Sequence, residues 1–198
     1  MRLILVRHGQ TASNVRRLLD TAVPGADLDE IGRDQAAALP GRLARWGIEA
    51  VYASDLARAK QTATPLASAV GCEVVVLPGL REISAGEDEL AEDADRYVEV
   101  MMGWLAGRLA ERLPGGEDGT EFFGRYDAAV AKIASAGHEV AALVSHGAAL
   151  RTWCGVRVEG VDNRLGVRGW LANVGYVVAD GDPATGWRAV AVDGIRHD

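Results

Sequence analysis

Leu3-Ile4-Leu5-Val6-Arg7-His8-Gly9-Gln10-Thr11 is the stretch that decides the fold. Four apolar residues in a row, bounded by charge, have the length of a buried strand, and a polar run follows at once. A strand that is apolar on both faces belongs in a sheet covered on both sides by helices. The same run is too short for a signal-peptide core and far too short for a membrane span.

Outward from that strand, short β-branched runs alternate with helical patterns, which predicts an α/β sheet. Leu28, Ile31, Leu39, Leu43 and Trp46 recur at helical spacing, predicting a helix over 30–46 that Pro40-Gly41 should kink or split. Glu49 to Ala53 reads as a second strand. A helix capped by Ser54 or Asp55 then follows, with Leu56, Ala59, Ala63, Leu66 and Val70 on its apolar face. Cys72 to Leu77 reads as a third strand and Val140 to Val144 as a fourth, leading into a helix that reaches about Trp153. Val174 to Ala179 and Trp187 to Val192 read as a closing hairpin around Asp180-Gly181-Asp182-Pro183.

Between the third and fourth strands the character changes. Glu87 to Asp95 is rich in acids and precedes a helix presenting Tyr97, Val98, Met101, Leu105 and Leu109. A second helix over roughly 119–136 presents Phe122, Tyr126, Val130 and Ile133. With no linker on either side, the segment 83–136 reads as a helical insertion, or lid, on a single domain spanning 1–198. The acidic run lacks the glycine and ligand spacing of a calcium loop, so a solvated helix start is the reading.

The composition narrows the functional classes. The chain has 198 residues, 48% of them hydrophobic and 25% charged, with a formal net charge of −7. One domain with a sizeable core is expected at this length. The acidic balance argues against nucleic acid and membrane surfaces as partners. It leaves an anionic substrate possible only where positive charge is concentrated. Cys72 and Cys154, the two cysteines, form neither a disulfide framework nor a metal-ligand pair, and the expected compartment is cytoplasmic.

In an open α/β sheet, ligands bind beyond the carboxyl ends of the strands. There the sequence places Arg7-His8, then Arg58, then Arg81-Glu82, then His146-Gly147. Arginine forks match phosphate oxygens, and a helix N-terminus after His146-Gly147 adds N–H donors. A neutral imidazole can attack phosphorus, and a carboxyl group can protonate the leaving oxygen. The constellation therefore reads as phosphoryl transfer. Arg81 is expected to pair with local acids, and His138 and His197 to lie on the surface.

Five blocks carry a resemblance: Leu5-Val6-Arg7-His8-Gly9-Gln10-Thr11 with Asn14; Ser54-Asp55-Leu56-Ala57-Arg58-Ala59 with Gln61-Thr62-Ala63; Leu80-Arg81-Glu82; Pro114-Gly115-Gly116-Glu117; and Val144-Ser145-His146-Gly147. In this order they resemble the histidine phosphatase superfamily, also called the phosphoglycerate-mutase-like family. The resemblance implies a three-layer α/β/α sandwich with a mixed, mostly parallel sheet. It implies His8 as nucleophile, with Arg7, Arg58, His146, Asn14 and the Gly147 backbone holding the phosphoryl group. Glu82 would be the proton donor, with Glu87 and Glu89 as competing carboxylates. No metal and no organic cofactor is implied. The partner would be a small phosphoester, and a homo-oligomer stays open.

The chain also departs from the family pattern. After Glu82 it runs Ile83-Ser84-Ala85-Gly86-Glu87-Asp88-Glu89, without the family's tryptophan. The basic cluster with which the mutases grip a bisphosphorylated intermediate is replaced by acids, and Arg96, Arg108 and Arg112 are spaced as helix-surface charges. A phosphomonoester hydrolase is therefore expected. Phosphoglycerate mutase activity is the alternative, and a catalytically silent phospholigand-binding protein is the reading from another class.

Overall fold

The computed structural model describes residues 1–161 and 169–197. The strands are β1 (Arg2–Arg7), β2 (Ala50–Ala53), β3 (Val74–Val76), β4 (Val140–Ser145), β5 (Val158–Glu159), β6 (Gly169–Asp182) and β7 (Gly186–His197). Among the described residues they form one seven-stranded sheet in the order β3-β2-β4-β1-β6-β7-β5. The pairs β1–β4, β2–β4, β2–β3 and β5–β7 are parallel, whereas β6 runs antiparallel to both β1 and β7. The helices are α1 (Ala12–Val15), α2 (Glu30–Leu43), α3 (Ala57–Val70), α4 (Asp95–Leu105), α5 (Gly119–Ser135) and α6 (Gly147–Arg157). None is long and apolar enough to cross a membrane, among the described residues.

Strand β1 shows why its sequence is apolar throughout. Leu3 and Leu5 join one core with Tyr97, Trp104, Phe122, Tyr126 and Trp153 of α4, α5 and α6. Ile4 and Val6 join a second core with Leu39 and Leu43 of α2 and Ala59, Ala63 and Leu66 of α3. Successive side chains point to opposite faces, so one strand supplies both cores of a three-layer sandwich. Asp118 caps α5 by accepting from the Glu121 N–H at 3.0 Å, and Glu121 returns the bond to the Asp118 N–H at 2.9 Å.

Several elements differ from the expectation. Pro40 neither splits nor ends α2, which continues to Leu43 and tightens into a 3-10 turn over Ala44–Trp46. Pro40 stands one turn from the end, and Leu39 and Leu43 on either side are fully buried. Burying each contributes about 1.5–3 kcal/mol, enough together to offset the roughly 3 kcal/mol that an interior proline costs. Ile31 is 55% exposed, because the buried stripe of α2 runs through Gly32, Ala36, Leu39 and Leu43 instead. Val70 and Leu109, at and beyond helix ends, are exposed as well.

Neither Ser54 nor Asp55 caps α3. Leu56 occupies that position, while Asp55 pairs with Arg81 and Ser54 turns towards β4. The acidic run is only partly a solvated helix start. Asp88 pairs with Arg96, but the Glu89 carboxylate is drawn inward to the backbone N–H groups of Thr21 and Ala22 and the Thr21 hydroxyl.

Candidate active site

Parallel register brings the site together. Arg7, last in β1, lies opposite Ser145, last in β4, and Ala53, last in β2, lies opposite Val144. The His8 N–H donates to the Ser145 carbonyl at 3.0 Å, and the Ser54 N–H to that of Val144 at 3.1 Å. His8, Ser54 and His146 therefore leave three adjacent strands at one level.

The ring centroids of His8 and His146 are 5.2 Å apart, and both side chains are buried. Nδ1 of His8 lies 2.7 Å from the Gly9 carbonyl oxygen. A carbonyl only accepts, so that nitrogen carries the proton and Nε2 keeps its lone pair. Arg58 Nε donates to this Nε2 at 3.1 Å. Burial, followed by the Arg58 and Arg7 guanidinium groups, holds the His8 pKa well below its usual value, so the ring is neutral at neutral pH.

His146 begins α6 but does not cap it. Its Nε2 lies 2.6 Å from Ser54 Oγ. The Ser54 hydroxyl has no other acceptor among the described residues, so it donates to Nε2 and leaves the proton of His146 on Nδ1. That Nδ1 is buried without a hydrogen-bond partner, an N–H donor at the center of the site. Burial, then the cations and His8 around it, pushes this pKa well below the usual value too.

Arg58, the second residue of α3, is 3% exposed. Burial lowers its pKa, and the Asp20 carboxylate acts in the opposite direction. Arg7 donates through Nη1 to the Leu171 carbonyl, and its guanidinium lies against Gly147. A Cβ at Gly147 would stand 3.2 Å from Arg7 Nε and 3.3 Å from its Cζ, tighter than ordinary contact, so the missing side chain gives the guanidinium room. Asn14 accepts at Oδ1 from Asn173 Nδ2 at 3.0 Å, and the same nitrogen lies 3.1 Å from the His8 carbonyl.

Glu82 sits on the first turn of α6. Its Oε1 accepts from the Ala149 N–H at 2.7 Å and its Oε2 from the Ala148 N–H at 3.1 Å. This carboxylate therefore does the capping that His146 does not. It also lines a polar cleft of about 620 Å³ with Thr21, Val23, Ser84, Gly116, Arg112 and Arg125. A larger cleft of about 900 Å³ at the opposite sheet edge, by Glu159 and Trp187, holds none of these residues.

Of the competing carboxylates, Glu89 has both oxygens engaged by Thr21 and Ala22, and Glu87 does not line the cleft. Arg81 pairs with Asp55, and His138 lies on the surface near Glu49. His197 ends β7, with its side chain outside the described residues.

The sequence reading did not anticipate Asp20, Asn173, the Leu171 carbonyl or the partnership of Ser54 with His146. Leu171 and Asn173 belong to an irregular stretch of β6, where pairing with β7 shifts between Leu171 and Tyr176 and Val174 adopts φ +53°. A bulge beside a site re-aims backbone and side chains, and Asn-Val-Gly at 173–175 is the signal that could have revealed it.

Comparisons with known proteins place the chain in a family. Residues 3–191 match the family described as the histidine phosphatase superfamily (branch 1). A Mycobacterium tuberculosis protein, PE-PGRS family protein PE_PGRS11, is 36% identical over 96% of this chain, which spans 36% of that relative's length. An Enterobacter protein named "Probable phosphoglycerate mutase GpmB" is 34% identical over 76% of this chain and 71% of its own. Among solved structures, a mycobacterial glucosyl-3-phosphoglycerate phosphatase in complex with VO3 superposes with a TM-score of 0.78 at 28% identity, covering 98% of both chains. By the match over nearly its whole length, the chain belongs to the histidine phosphatase superfamily.

Proposed function

We propose that the protein hydrolyses small phosphomonoesters through a phosphohistidine at His8. The observation that carries this reading is the proton arrangement at His8: Nδ1–H is committed to Gly9, and the Nε2 lone pair faces Arg58. Nε2 attacks phosphorus as the ester P–O bond breaks, and the leaving oxygen takes a proton from Glu82, which enters this step as the carboxylic acid and leaves it as the carboxylate. Arg7, the Nδ1–H of His146 and the Gly147 N–H hold the phosphoryl oxygens, with Asn14 beside them. Substrate entry transfers the Arg58 Nε–H from His8 to one of those oxygens. Water then gives its proton to Glu82 and attacks phosphorus, the P–N bond breaks, and His8 is regenerated neutral as phosphate leaves.

The cleft beside Glu82 favours hydrolysis over mutase activity. A mutase must retain a bisphosphorylated intermediate, which calls for cations with no carboxylate already bound. Here Arg81 is paired with Asp55, Arg112 with Asp118, and Arg125 with Glu117. The phosphatase named among the solved structures supports the same reading, and a small phosphorylated metabolite is the substrate class it suggests.

The test is quench trapping with a 32P-labelled phosphomonoester. Acid-labile, base-stable label on wild type and none on His8→Ala is expected; label retained on His8→Ala would refute the assignment. With 3-phosphoglycerate, inorganic phosphate should appear faster than 2-phosphoglycerate, and the reverse order would restore the mutase.

A further inference from the structure

Asp20 stands in the irregular stretch between α1 and α2, outside every block that carries the family resemblance. Its backbone carbonyl accepts from Arg58 Nη2 at 2.6 Å, and its Oδ1 faces Arg58 Nη1 at 3.5 Å. Its other oxygen, Oδ2, accepts from Ser13 Oγ at 2.7 Å and from the Ala26 N–H at 3.0 Å. One oxygen is thus fixed to the loop and the other turned to the guanidinium.

The surrounding loop is shaped to the same pair. Gly25 has φ +67°, and a Cβ there would fall 2.5 Å from Arg58 Nη1 and 3.0 Å from Asp20 Oδ1. The Pro24 carbonyl accepts from the Ala57 N–H at 2.9 Å, docking the loop on the first residue of α3, next to Arg58. Glu89 ties the following residues, Thr21 and Ala22, to the insertion. An arginine side chain has several rotatable bonds, so a guanidinium holds one bearing only when its outer nitrogens are anchored.

We infer that Asp20 is a positioning residue: it grips the outer nitrogens of Arg58, so that Nε faces His8 Nε2 where the phosphoryl group is transferred. The inference rests on the phosphatase reading, which assigns Arg58 to that group. A carboxylate this close has two opposed effects. As an anion it weakens the attraction for phosphate, and as an anchor it fixes the donor. Its removal therefore strengthens oxyanion binding if the first effect dominates and weakens it if the second does. The four hydrogen bonds and the glycine cut to fit favour the anchor.

The experiment measures kcat and KM for p-nitrophenyl phosphate, inhibition by orthovanadate, and melting temperature. The proteins are wild type, Asp20→Asn, Arg58→Lys, the double variant and Gly25→Ala. Asp20→Asn is expected to lose about 10²-fold in kcat/KM, mostly in kcat, as a donor displaced by about 1 Å does. Orthovanadate should bind it more weakly. The loss should shrink to nearly nothing in the Arg58→Lys background, because two residues acting as one unit are not additive, whereas a merely structural role would subtract equally from both. Gly25→Ala, which displaces the same guanidinium, should reproduce the kcat loss and keeps the question answerable if Asp20→Asn folds poorly.

An Asp20→Asn variant that is fully active, binds orthovanadate more tightly than wild type, or loses equally in both backgrounds overturns the inference alone. A wild type that neither hydrolyses the ester nor binds orthovanadate overturns the phosphatase reading and the inference together.

Discussion

Ser54 Oγ stands 2.6 Å from Nε2 of His146, and the opposite nitrogen of that ring is buried without a partner. A hydroxyl that donates on one side fixes a donor on the other, so Ser54 determines which ring nitrogen of His146 keeps its proton.

Ser54→Ala removes that constraint without adding bulk. A buried group left unsatisfied costs about 1–3 kcal/mol, equivalent to roughly 5–150-fold in kcat/KM. Kinetics on p-nitrophenyl phosphate check it, and unchanged kcat/KM would remove Ser54 from the site's machinery.

Much of the site was legible because its residues follow directly from strands. Arg7, His8 and His146 extend β1 and β4, whose register follows from apolar runs that can be read by eye. Arg58 and Glu82 were legible as members of motif blocks. Asp20 and Asn173 were not, since each acts through a contact set by irregular backbone: Asp20 meets a residue 38 positions on, and Asn173 one 165 positions back. Periodicity carries no information about such contacts. That α2 runs unbroken past Pro40 was not legible either, because local propensity says nothing of the burial of Leu39 and Leu43.

The pH dependence follows from the two depressed histidines. Each unfolded ring takes up a proton as pH falls through about 6.5, while the folded ring stays neutral until its own lower pKa. Stability is therefore full above that unfolded value and falls below it, by up to about 1.4 kcal/mol per pH unit for each histidine. Denaturant melts from pH 8 to pH 5 should show the decline beginning near 6.5, while kcat/KM shows no histidine limb there. An activity limb at pH 6.5 would mean that the nucleophile titrates normally.

Glu82→Gln should separate substrates by leaving group. Alkyl phosphates need the proton and should lose about 10²–10⁴-fold, whereas p-nitrophenyl phosphate, with a stable anion to expel, should lose much less. Equal losses would move the acid role to another group.

Glu89→Gln is the contrast. Its carboxylate holds Thr21 and Ala22, so the variant should lose about 1–3 kcal/mol of stability in thermal melts. It should keep the wild-type dependence on leaving group; a selective loss on alkyl phosphates would give Glu89 a share in proton transfer.

Gly147→Ala places a methyl 3.2 Å from Arg7 Nε. Helical backbone accepts alanine, so the melting temperature should hold while orthovanadate inhibition weakens by about tenfold or more, as expected for a displaced oxyanion donor. Unaltered inhibition would show that Arg7 adapts freely.

Glu82 is seated on the N–H groups of Ala148 and Ala149, in the same first turn that His146 and Gly147 open. In the proposed reaction the proton donor and two of the oxyanion donors, His146 and Gly147, thus share one helix turn, while Arg112, Gly115, Gly116, Glu117 and Glu121 line the cleft beside Glu82. Proton delivery in that reaction is thereby tied to the cleft, because Glu117 pairs with Arg125, whose Nη2 donates to the Glu82 carbonyl at 2.9 Å. Fitting that lining to a different leaving group would leave the bond-breaking step alone at Arg112 and Glu121, which pair with each other, and would retune it at Glu117.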